Sequence, residues 1–341
     1  MRLVIIDDNT LNQTNGVVTT MNAVKQQLFG RGIHSLYHVT PEHFCCIPAF
    51  VYPGAKLALN SWKLGNMVEN LNPTHLHICT EGVLGIAART AFSNRGWQYT
   101  TSAHTRWDLY LNKTVGCSPK WGNQYMRWFH RQSATILVNT ESMKTELENQ
   151  GWNNLKVWTR GVDRHIFDFK NKPIGSKPIL LSVGRISSEK NLDAFCRLDF
   201  NKYQLVCVGD GPELPRLKRD YPWVRFLGQL KGKMLAEQYQ QADVFVFPSV
   251  TDTFGLVMIE SMSTGTPVAA FPAQGPVDVI EPGVTGFFDA DLEIAIEKCL
   301  SLSRNTVYEG SKAWSWEATA DIFLDTLVPI NQRTIQSCEI N

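Results

Sequence analysis

The sequence lacks a long apolar run, a disulfide framework and a sizeable net charge. No segment approaches the about 18 consecutive apolar residues of a membrane span. The eight cysteines include no Cys-x-x-Cys pair, which is typical of reduced thiols in the cytosol. Neither a repeat of solenoid period nor a low-complexity tract is present. These absences disfavour membrane-spanning, secreted and repeat proteins, and we expect a cytoplasmic globular protein.

The net charge of +1 conceals an asymmetry between the two halves of the chain. Residues 1–170 contain 17 Lys and Arg against 11 Asp and Glu, whereas the remainder contains 16 against 21. All eight histidines also lie in the first half. The basic half suits an anionic partner, either a membrane surface, a phospholipid or a nucleic acid. The alternative is a chance scatter of solvated charges.

Strand-like apolar runs alternate with helical patterns, which predicts an α/β protein with two doubly wound parallel-sheet domains. A polar segment containing Pro and Gly, residues 169–177, is typical of a linker. We therefore expect an N-terminal domain over 1–168, a second domain over 178–312 and a last helical segment over 313–330. The expected strands are Leu3–Ile6, His34–His38, Leu76–Cys79, Tyr99–Ser102, Ile136–Asn139, Ile179–Val183, Gln204–Val208, Val224–Phe226, Val244–Phe247 and Val268–Phe271.

The most informative stretch follows the strand pattern 244–247. Asp252 and Glu260 are spaced eight residues apart, and Phe254, Gly255 and Leu256 between them are predicted to begin a helix. The unpaired N–H groups at a helix N-terminus suit a phosphate. Two carboxylates beside such a site suit hydroxyl groups attached to the anion. The pattern therefore predicts a nucleotide-sugar site, and the alternative is an ordinary strand–turn–helix with solvated acids.

Two cations follow the first strand of the second half. Gly184 allows the backbone to turn close to a ligand, and Arg185 and Lys190 place positive charge at the carboxyl end of the sheet. Such charges would neutralise a diphosphate as its bond to a sugar breaks. Gly211 lies in a further glycine turn, 208–213, which lacks the third glycine of a dinucleotide fingerprint.

These motifs, in this order, resemble the retaining glycosyltransferases of family 4, also called group 1, which have the GT-B fold. The resemblance runs from residue 1 to about residue 328, with Asp252 where most members have Glu. It is strongest for a branch that includes GDP-mannose-dependent mannosyltransferases and sulfoquinovosyltransferases acting on lipids. The further matching motifs are Asn15-Gly16-Val17-Val18, Thr80-Glu81-Gly82, Ser102-Ala103-His104-Thr105-Arg106 and Thr159-Arg160-Gly161.

The resemblance implies two Rossmann-like domains facing a cleft, with the last helix returning across the domain junction. It implies that Gly16 approaches the sugar diphosphate, that the turn with Gly211 borders the base, and that His104 contacts the transferred sugar. Glu81, Arg106 and Arg160 become candidates for the acceptor side. Arg185, Lys190, His104 and Asp252 form the expected catalytic set. Gly16, Gly184, Gly211, Phe254, Gly255, Leu256 and Glu260 form the expected donor-binding set.

The expected reaction moves a sugar from a GDP- or UDP-linked donor to a hydroxyl group of a lipid or glycan. We expect no metal and no tightly bound cofactor, and a cytoplasmic enzyme that can sit peripherally at the inner face of a membrane. One alternative acceptor is a hydroxylated base in DNA, as in phage-type glucosylation, which the basic first half favours. A more remote alternative is a nicotinamide-dependent oxidoreductase, but the complete G-x-G-x-x-G that it requires is absent.

Bases and aromatics interleave over residues 120–131. Trp121, Tyr125 and Trp128 share one helical face at i, i+4 and i+7. One interpretation is an aromatic face packed on the core with bases outside. The other is a surface that docks an acceptor or a membrane.

Overall fold

The computed structural model of the chain describes residues 1–10, 15–29, 31–48, 56–104, 118–173, 175–252 and 254–330. Its contacts divide the chain into two compact units. Unit 1 comprises Met1–Thr159 and Glu317–Asn341, and unit 2 comprises Arg160–Trp316. The polar segment 169–177 therefore lies within unit 2, and its role as a linker stays a prediction.

Unit 1 is built on a six-stranded parallel sheet in the spatial order β2-β1-β5-β6-β7-β8. These strands are β1 (Arg2–Ile6), β2 (Ser35–Val39), β5 (His75–Ile78), β6 (Thr100–Ala103), β7 (Ile136–Val138) and β8 (Leu155–Val157). A separate antiparallel hairpin pairs β3 (Cys46–Pro48) with β4 (Lys56–Ala58). The helices are α1 (Gly16–Leu28), α2 (Leu64–Asn70), α3 (Val83–Asn94), α4 (Pro119–His130), α5 (Glu141–Asn149) and the last helix, α13 (Trp316–Thr326).

Helix α13 completes one side of the unit 1 core. Its buried Phe323 packs in one cluster with Trp158 and with Leu3 and Ile5 of β1. The indole N–H of Trp158 donates to the carbonyl of Thr319 at 2.9 Å. The apolar stripe of the last helix therefore packs on the first sheet, in a cluster that also includes Met21, Val24 and Leu28 of α1.

Unit 2 contains a second six-stranded parallel sheet, in the order β11-β10-β9-β12-β13-β14. Its strands are β9 (Ile179–Val183), β10 (Gln204–Val208), β11 (Arg225–Phe226), β12 (Val244–Phe247), β13 (Val268–Ala270) and β14 (Gly286–Phe288). Its helices are α6 (Leu192–Cys196), α7 (Leu214–Asp220), α8 (Gly232–Gln241), α9 (Leu256–Ser263), α10 (Gln274–Val279), α11 (Leu292–Leu300) and α12 (Arg304–Gly310).

The alternation of side chains along β12 shows why this sheet is covered on both faces. Phe245 and Phe247 enter one hydrophobic cluster, whereas Val244 and Val246 enter the other. All four are buried, as is typical of a central parallel strand. The doubly wound α/β architecture predicted from the apolar runs is confirmed.

The strand orders also locate the points where each sheet reverses its winding. In unit 2, β10 and β12 lie on opposite sides of β9, and in unit 1, β2 and β5 flank β1. Open α/β sheets bind ligands outside the carboxyl ends of the strands at such a point. The loops after β9 and β12, and those after β1 and β5, are therefore the places to look for a site.

Every predicted strand is present, with its ends within one residue of the expected positions. The hairpin β3–β4 and the three-residue strands β8 and β14 were not predicted, since runs this short carry little periodicity. Within the described ranges, no helix combines the length and apolar character needed to cross a membrane.

Candidate functional site

Two loops meet at the switch point of unit 2. The loop after β9 forms a short 3-10 turn, Ser188–Lys190, and ends at Asn191, whose backbone is left-handed at φ 52°. The Asn191 side-chain amide donates to the carbonyl of Pro248, in the loop after β12, at 3.1 Å. This cross-link holds the two loops together. Asn191 directly follows the predicted Lys190, but its role in positioning the loops has no signature in a single sequence.

Lys190 and Asp252 form a tight ion pair where these loops meet. The Lys190 ammonium lies 2.6 Å from one carboxylate oxygen of Asp252 and 2.9 Å from the other. Burial raises the pKa of Asp252, but Lys190 and the hydrogen bond from Ser249, with the charge of Arg185, outweigh it and lower the pKa overall. Asp252 is thus ionised at neutral pH, and both predicted cations act on it.

The glycine turns after β9 and β10 pack backbone against backbone. A Cβ atom on Gly209 would lie 1.8 Å from the carbonyl oxygen of Gly184, so a side chain there would displace one of the loops. A Cβ atom on Gly211 would lie 2.3 Å from the carbonyl oxygen of Ile186, whose N–H donates to the carbonyl of Asp210 at 2.9 Å. Gly184 itself faces open space. Gly209 and the predicted donor-binding Gly211 therefore fix the loop that carries Arg185.

Gly255 caps the N-terminus of helix α9 with a left-handed backbone, φ +86°. Leu256 is the first helical residue, as predicted, and no side chain caps the helix. The first N–H groups of a helix have no partner within it, so those of α9 are suited to an anion. Phe254 is buried, with its ring edge-on to Trp314 at 5.4 Å, and anchors this turn.

Glu260 lies one turn along α9 and is half-buried. The hydroxyl group of Tyr239, on α8, donates to its carboxylate at 3.1 Å. Burial raises the pKa of Glu260 to about 7, although the Tyr239 hydrogen bond acts in the opposite direction. Sequence reasoning missed Tyr239, because its spacing from Glu260 along the chain follows no motif. Glu260 is therefore a carboxylate with remaining acceptor capacity that titrates near neutrality.

In unit 1, Asp8 follows β1 and caps helix α3. Its carboxylate accepts from the N–H groups of Leu84 and Gly85, at 2.7 and 3.1 Å, and from the hydroxyl group of Thr80 at 3.0 Å. Burial raises the pKa of Asp8 to about 6, and these hydrogen bonds oppose the rise. Asp8 holds the loop after β5 against the end of β1.

A buried polar chain leads from Asp7 to the start of α1, where Gly16 lies. Asp7 accepts from the backbone and side-chain amides of Asn9, at 2.9 and 2.8 Å. Asn9 accepts from Asn15, whose side chain caps α1. The other Asp7 oxygen faces Nε2 of His38 at 3.5 Å. Gly16 is thus held at the helix N-terminus by Asn15 of the same motif and, through Asn9, by Asp7 at the end of β1.

His104 follows β6 and is buried. Its Nδ1 lies 3.4 Å from the side-chain oxygen of Asn139, and the Asn139 amide donates to the His104 carbonyl at 3.2 Å. Because an amide oxygen only accepts, Nδ1 donates to Asn139. In the neutral ring, Nε2, 3.6 Å from the Cys79 sulfur, is then the acceptor nitrogen. A contact to a sugar through this ring stays a prediction.

The three acceptor-side candidates have different surroundings. Glu81 is buried, with one oxygen 3.3 Å from Nε2 of His130, and its carbonyl accepts from the Tyr125 hydroxyl group. Arg160 is buried at the beginning of unit 2. Arg106 lies outside the described residues. The acceptor roles of all three stay predictions.

No group of three or more potential metal ligands occurs in the portions of the chain that the structure describes. Both acids of the Asp289-Ala290-Asp291 sequence have partners within the protein. Asp291 accepts from the Glu293 N–H at 2.9 Å at the start of α11, and Asp289 pairs with Lys298 at 3.1 Å.

Two family models match the chain. Residues 30–165 match the model described as Glycosyltransferase Family 4, and residues 177–305 match that described as Glycosyl transferases group 1. Among solved structures, sucrose-phosphate synthase from Thermosynechococcus elongatus superposes with a TM-score of 0.77 at 19% identity, covering 95% of this chain and 97% of that one. At this identity the likeness concerns the fold, which is GT-B.

Curated relatives extend over most of the chain. A GDP-mannose-dependent alpha-mannosyltransferase from Corynebacterium glutamicum is 28% identical over 93% of this chain and 86% of its own length. The sulfoquinovosyl transferase SQD2 from Arabidopsis thaliana is 29% identical over 84% of this chain, which spans 59% of that protein. An alpha-monoglucosyldiacylglycerol synthase from Streptococcus pneumoniae is 25% identical over 79% of this chain and 71% of its own length.

The oxidoreductase alternative finds no counterpart among these matches. The family-typical positions, by contrast, meet at the switch point of unit 2, where Lys190 contacts Asp252 beside the N-terminus of α9. The chain belongs to the family 4, group 1 glycosyltransferases with the GT-B fold.

Proposed function

We propose that this protein is a retaining glycosyltransferase that moves a hexosyl or pentosyl group from a nucleoside-diphosphate sugar to a hydroxyl group. The observation that carries the proposal is the arrangement at the switch point of unit 2. There the paired Lys190 and Asp252, with Arg185, lie beside an uncapped helix N-terminus. Positive charge and free N–H groups suit a diphosphate, whereas carboxylates suit the hydroxyl groups of its ribose and sugar.

The donor-binding roles follow from this chemistry. Glu260 would accept from ribose hydroxyls, and Asp252 from a hydroxyl of the transferred sugar. The N–H groups after Gly255 would bind the distal phosphate, while the glycine turn at 209–211 would border the base. Arg185 and Lys190 would hold the charge that develops on the leaving diphosphate.

Retention would proceed by attack on the same face as the leaving group. The bond between C1 and the acceptor oxygen forms as the bond between C1 and the diphosphate oxygen breaks. The acceptor proton passes to the departing phosphate oxygen, so no nucleophile of the enzyme is needed. His104 is the proposed contact to the transferred sugar, through Nε2.

The proposed acceptor is a lipid or glycan hydroxyl, with the enzyme located in the cytoplasm and peripherally at the inner face of a membrane. The name of the S. pneumoniae relative, a monoglucosyldiacylglycerol synthase, supports the lipid class. The name of the C. glutamicum relative, a GDP-mannose-dependent alpha-mannosyltransferase, supports a GDP-linked donor. Glu81, Arg106 and Arg160 remain the proposed acceptor-side residues, and no cofactor beyond the donor is proposed.

The test is a panel of GDP- and UDP-sugars screened for hydrolysis, followed by incubation of the active donor with lipids, glycans and duplex DNA containing hydroxylated bases. Products would be identified by mass spectrometry, and the anomeric configuration by NMR. We expect one donor to be hydrolysed, and we expect the product to keep the anomeric configuration of that donor. Inverted product would contradict the retaining mechanism. Transfer of the sugar to DNA alone would show that the acceptor is DNA and not a lipid. Binding of NAD in a titration, without binding of nucleotides, would contradict the whole proposal.

A further inference from the structure

Helix α4 presents bases and tryptophans together to solvent. Its exposed side chains are Lys120, Trp121, Gln124, Arg127 and Trp128, and Arg131 follows at the C-cap. Trp121 is 71% exposed and Trp128 37%. The interpretation of these tryptophans as a core face was wrong, because the buried side of the helix is formed by Met126, Phe129 and His130.

The exposed residues sort into two adjacent stripes. At about 100° per residue, Lys120, Arg127 and Arg131 fall within an arc of about 40°. Trp121 and Trp128 lie together at the side of this arc, about 60–120° away. Amphipathic helices that lie in a membrane interface have this composition, with bases at the phosphates and Trp at the boundary with the acyl chains.

The helix is held firmly enough to act as a surface. The Arg127 guanidinium donates to the carbonyl of Gln150, at the C-terminal end of α5, at 2.7 Å. Arg89, on α3, donates to the carbonyls of Trp128 and Phe129 and stacks on the Trp128 ring at 4.0 Å. The Trp128 ring is therefore oriented by contacts within unit 1.

The charge of the surface selects an anionic partner. Helix α4 contains no acidic residue. Within the described portion of the chain, no salt bridge joins Lys120, Arg127 or Arg131 to an acid. Bases alone would suit DNA equally well, but a duplex backbone offers no apolar layer for a neighbouring pair of exposed tryptophans.

We propose that α4 docks unit 1 on an anionic phospholipid surface, with Lys120, Arg127 and Arg131 at the phosphates and Trp121 and Trp128 inserted at the interface. This inference rests on the proposed lipid acceptor and names the surface that brings the enzyme to it. Docking needs neither donor nor acceptor, so vesicle binding tests it separately from sugar transfer.

The experiment measures co-sedimentation of the full chain with phosphatidylglycerol–phosphatidylcholine vesicles, and with pure phosphatidylcholine vesicles, over a range of salt. We expect binding only to the anionic vesicles, weakening with salt. Lys120→Ala, Arg127→Ala and Arg131→Ala together should reduce the binding constant about 100-fold, at about fivefold per base. Because Arg127 also holds α5, the pair Lys120→Glu and Arg131→Glu provides a second variant that keeps this contact.

Matched controls come from exposed residues elsewhere. The control for the charge variant changes three exposed bases of unit 2 to Ala, namely Lys218, Arg219 and Lys233. The control for Trp121→Ala is Trp62→Ala, because Trp62 is similarly exposed, at 75%. We expect Trp121→Ala to weaken vesicle binding at least tenfold and the controls to stay within twofold. The proposal would be overturned if the controls lost vesicle binding equally, or if the protein did not bind vesicles at low salt. It would also be overturned if the protein bound duplex DNA but not vesicles. Sugar transfer to a lipid without vesicle binding would overturn it while leaving the proposed function intact.

Discussion

The ammonium group of Lys190 contacts both carboxylate oxygens of Asp252, at 2.6 and 2.9 Å, and so joins the loops after β9 and β12. The side chains are 27% and 24% exposed, so the pair is neither solvated freely nor sealed in the core. Lys190 lowers the pKa of Asp252 and so keeps this carboxylate ionised, and each group retains hydrogen-bonding capacity toward a ligand.

Replacing Lys190 or Arg185 by Ala should lower kcat/KM for the donor, because a preorganised positive charge that stabilises the leaving diphosphate is lost. The expected loss of transition-state stabilisation is about 2–4 kcal/mol. Steady-state kinetics with the active nucleotide sugar measure the change. Lys218→Ala, an exposed base in the same unit, is the control. Turnover within threefold of wild type for both active-site variants would remove them from the catalytic set.

Asp252→Asn should weaken binding of the intact nucleotide sugar by about 10–100-fold and leave the free nucleoside diphosphate nearly unchanged. The physical reason is a lost hydrogen bond from the sugar to a charged acceptor, worth about 1.5–3 kcal/mol. Glu260→Gln should weaken both ligands, because ribose is common to them. Isothermal titration measures all four affinities, and equal loss of free nucleotide in both variants would show that Asp252 does not contact the sugar.

Nucleotide affinity should rise with pH through the titration of Glu260. Its pKa in the folded protein is about 7, so the group is protonated below that pH and accepts ribose hydroxyls with both oxygens only above it. Titrations at pH 6 and pH 8 should therefore favour the higher pH in wild type. Glu260→Gln removes the titrating group, and a pH dependence that survives in this variant would assign it elsewhere.

Asp8→Asn should destabilise unit 1 by about 1–3 kcal/mol at pH 8. The reason is that an amide nitrogen would face one of the N–H groups that now donate to the carboxylate. The pH dependence has a definite sign. Since folding raises the pKa of Asp8 from 3.8 to about 6, the folded state binds the proton more tightly, and stability falls as pH rises across this window.

Denaturant unfolding at pH 4 and pH 7 checks the Asp8 prediction. The variant should show a flatter pH profile than wild type between these values. Asp199→Asn, an exposed acid of unit 2, is the control. A wild-type stability that rises in this window because of Asp8 would contradict the assigned pKa.

Gly209→Ala should destabilise unit 2 by at least about 1–3 kcal/mol, since its Cβ would lie 1.8 Å from the Gly184 carbonyl oxygen. Donor affinity should fall as well, because the displaced loop carries Arg185. Gly175→Ala is the matched control, with nothing within 4 Å of the added atom. Thermal unfolding and nucleotide titration measure both effects, and wild-type behaviour of Gly209→Ala would mean that the loops separate at little cost.

The sequence revealed the sheets because buried parallel strands are continuous apolar runs, as Val244–Phe247 illustrates. It also predicted which loops of unit 2 would carry the chemistry, and the structure brings Lys190 and Asp252 of those loops into contact. Lys190 was expected at the donor phosphates, but its pairing with Asp252 joins loops that lie far apart along the chain. That contact depends on the strand order, which no local pattern encodes.

Other features escaped for the same physical reason. Tyr239 meets Glu260, and His130 meets Glu81, through packing between helices and loops of different origin. The sequence could not decide between the two interpretations of α4, because aromatic spacing at i, i+4 and i+7 fits a core stripe and an exposed stripe alike. Only the neighbouring elements decide which side of a helix is covered.

The membership of helix α13 in unit 1 has a consequence for biosynthesis. The chain leaves this unit after Thr159 and re-enters it at Glu317. At about 5–20 residues per second, a ribosome needs on the order of 10 s to make the intervening segment. Throughout that interval Trp158 has no Thr319 carbonyl to bind, and its ring lacks Phe323. The nascent amino-terminal unit therefore carries an uncovered apolar surface until helix α13 has been made, and the second unit has the opportunity to fold first.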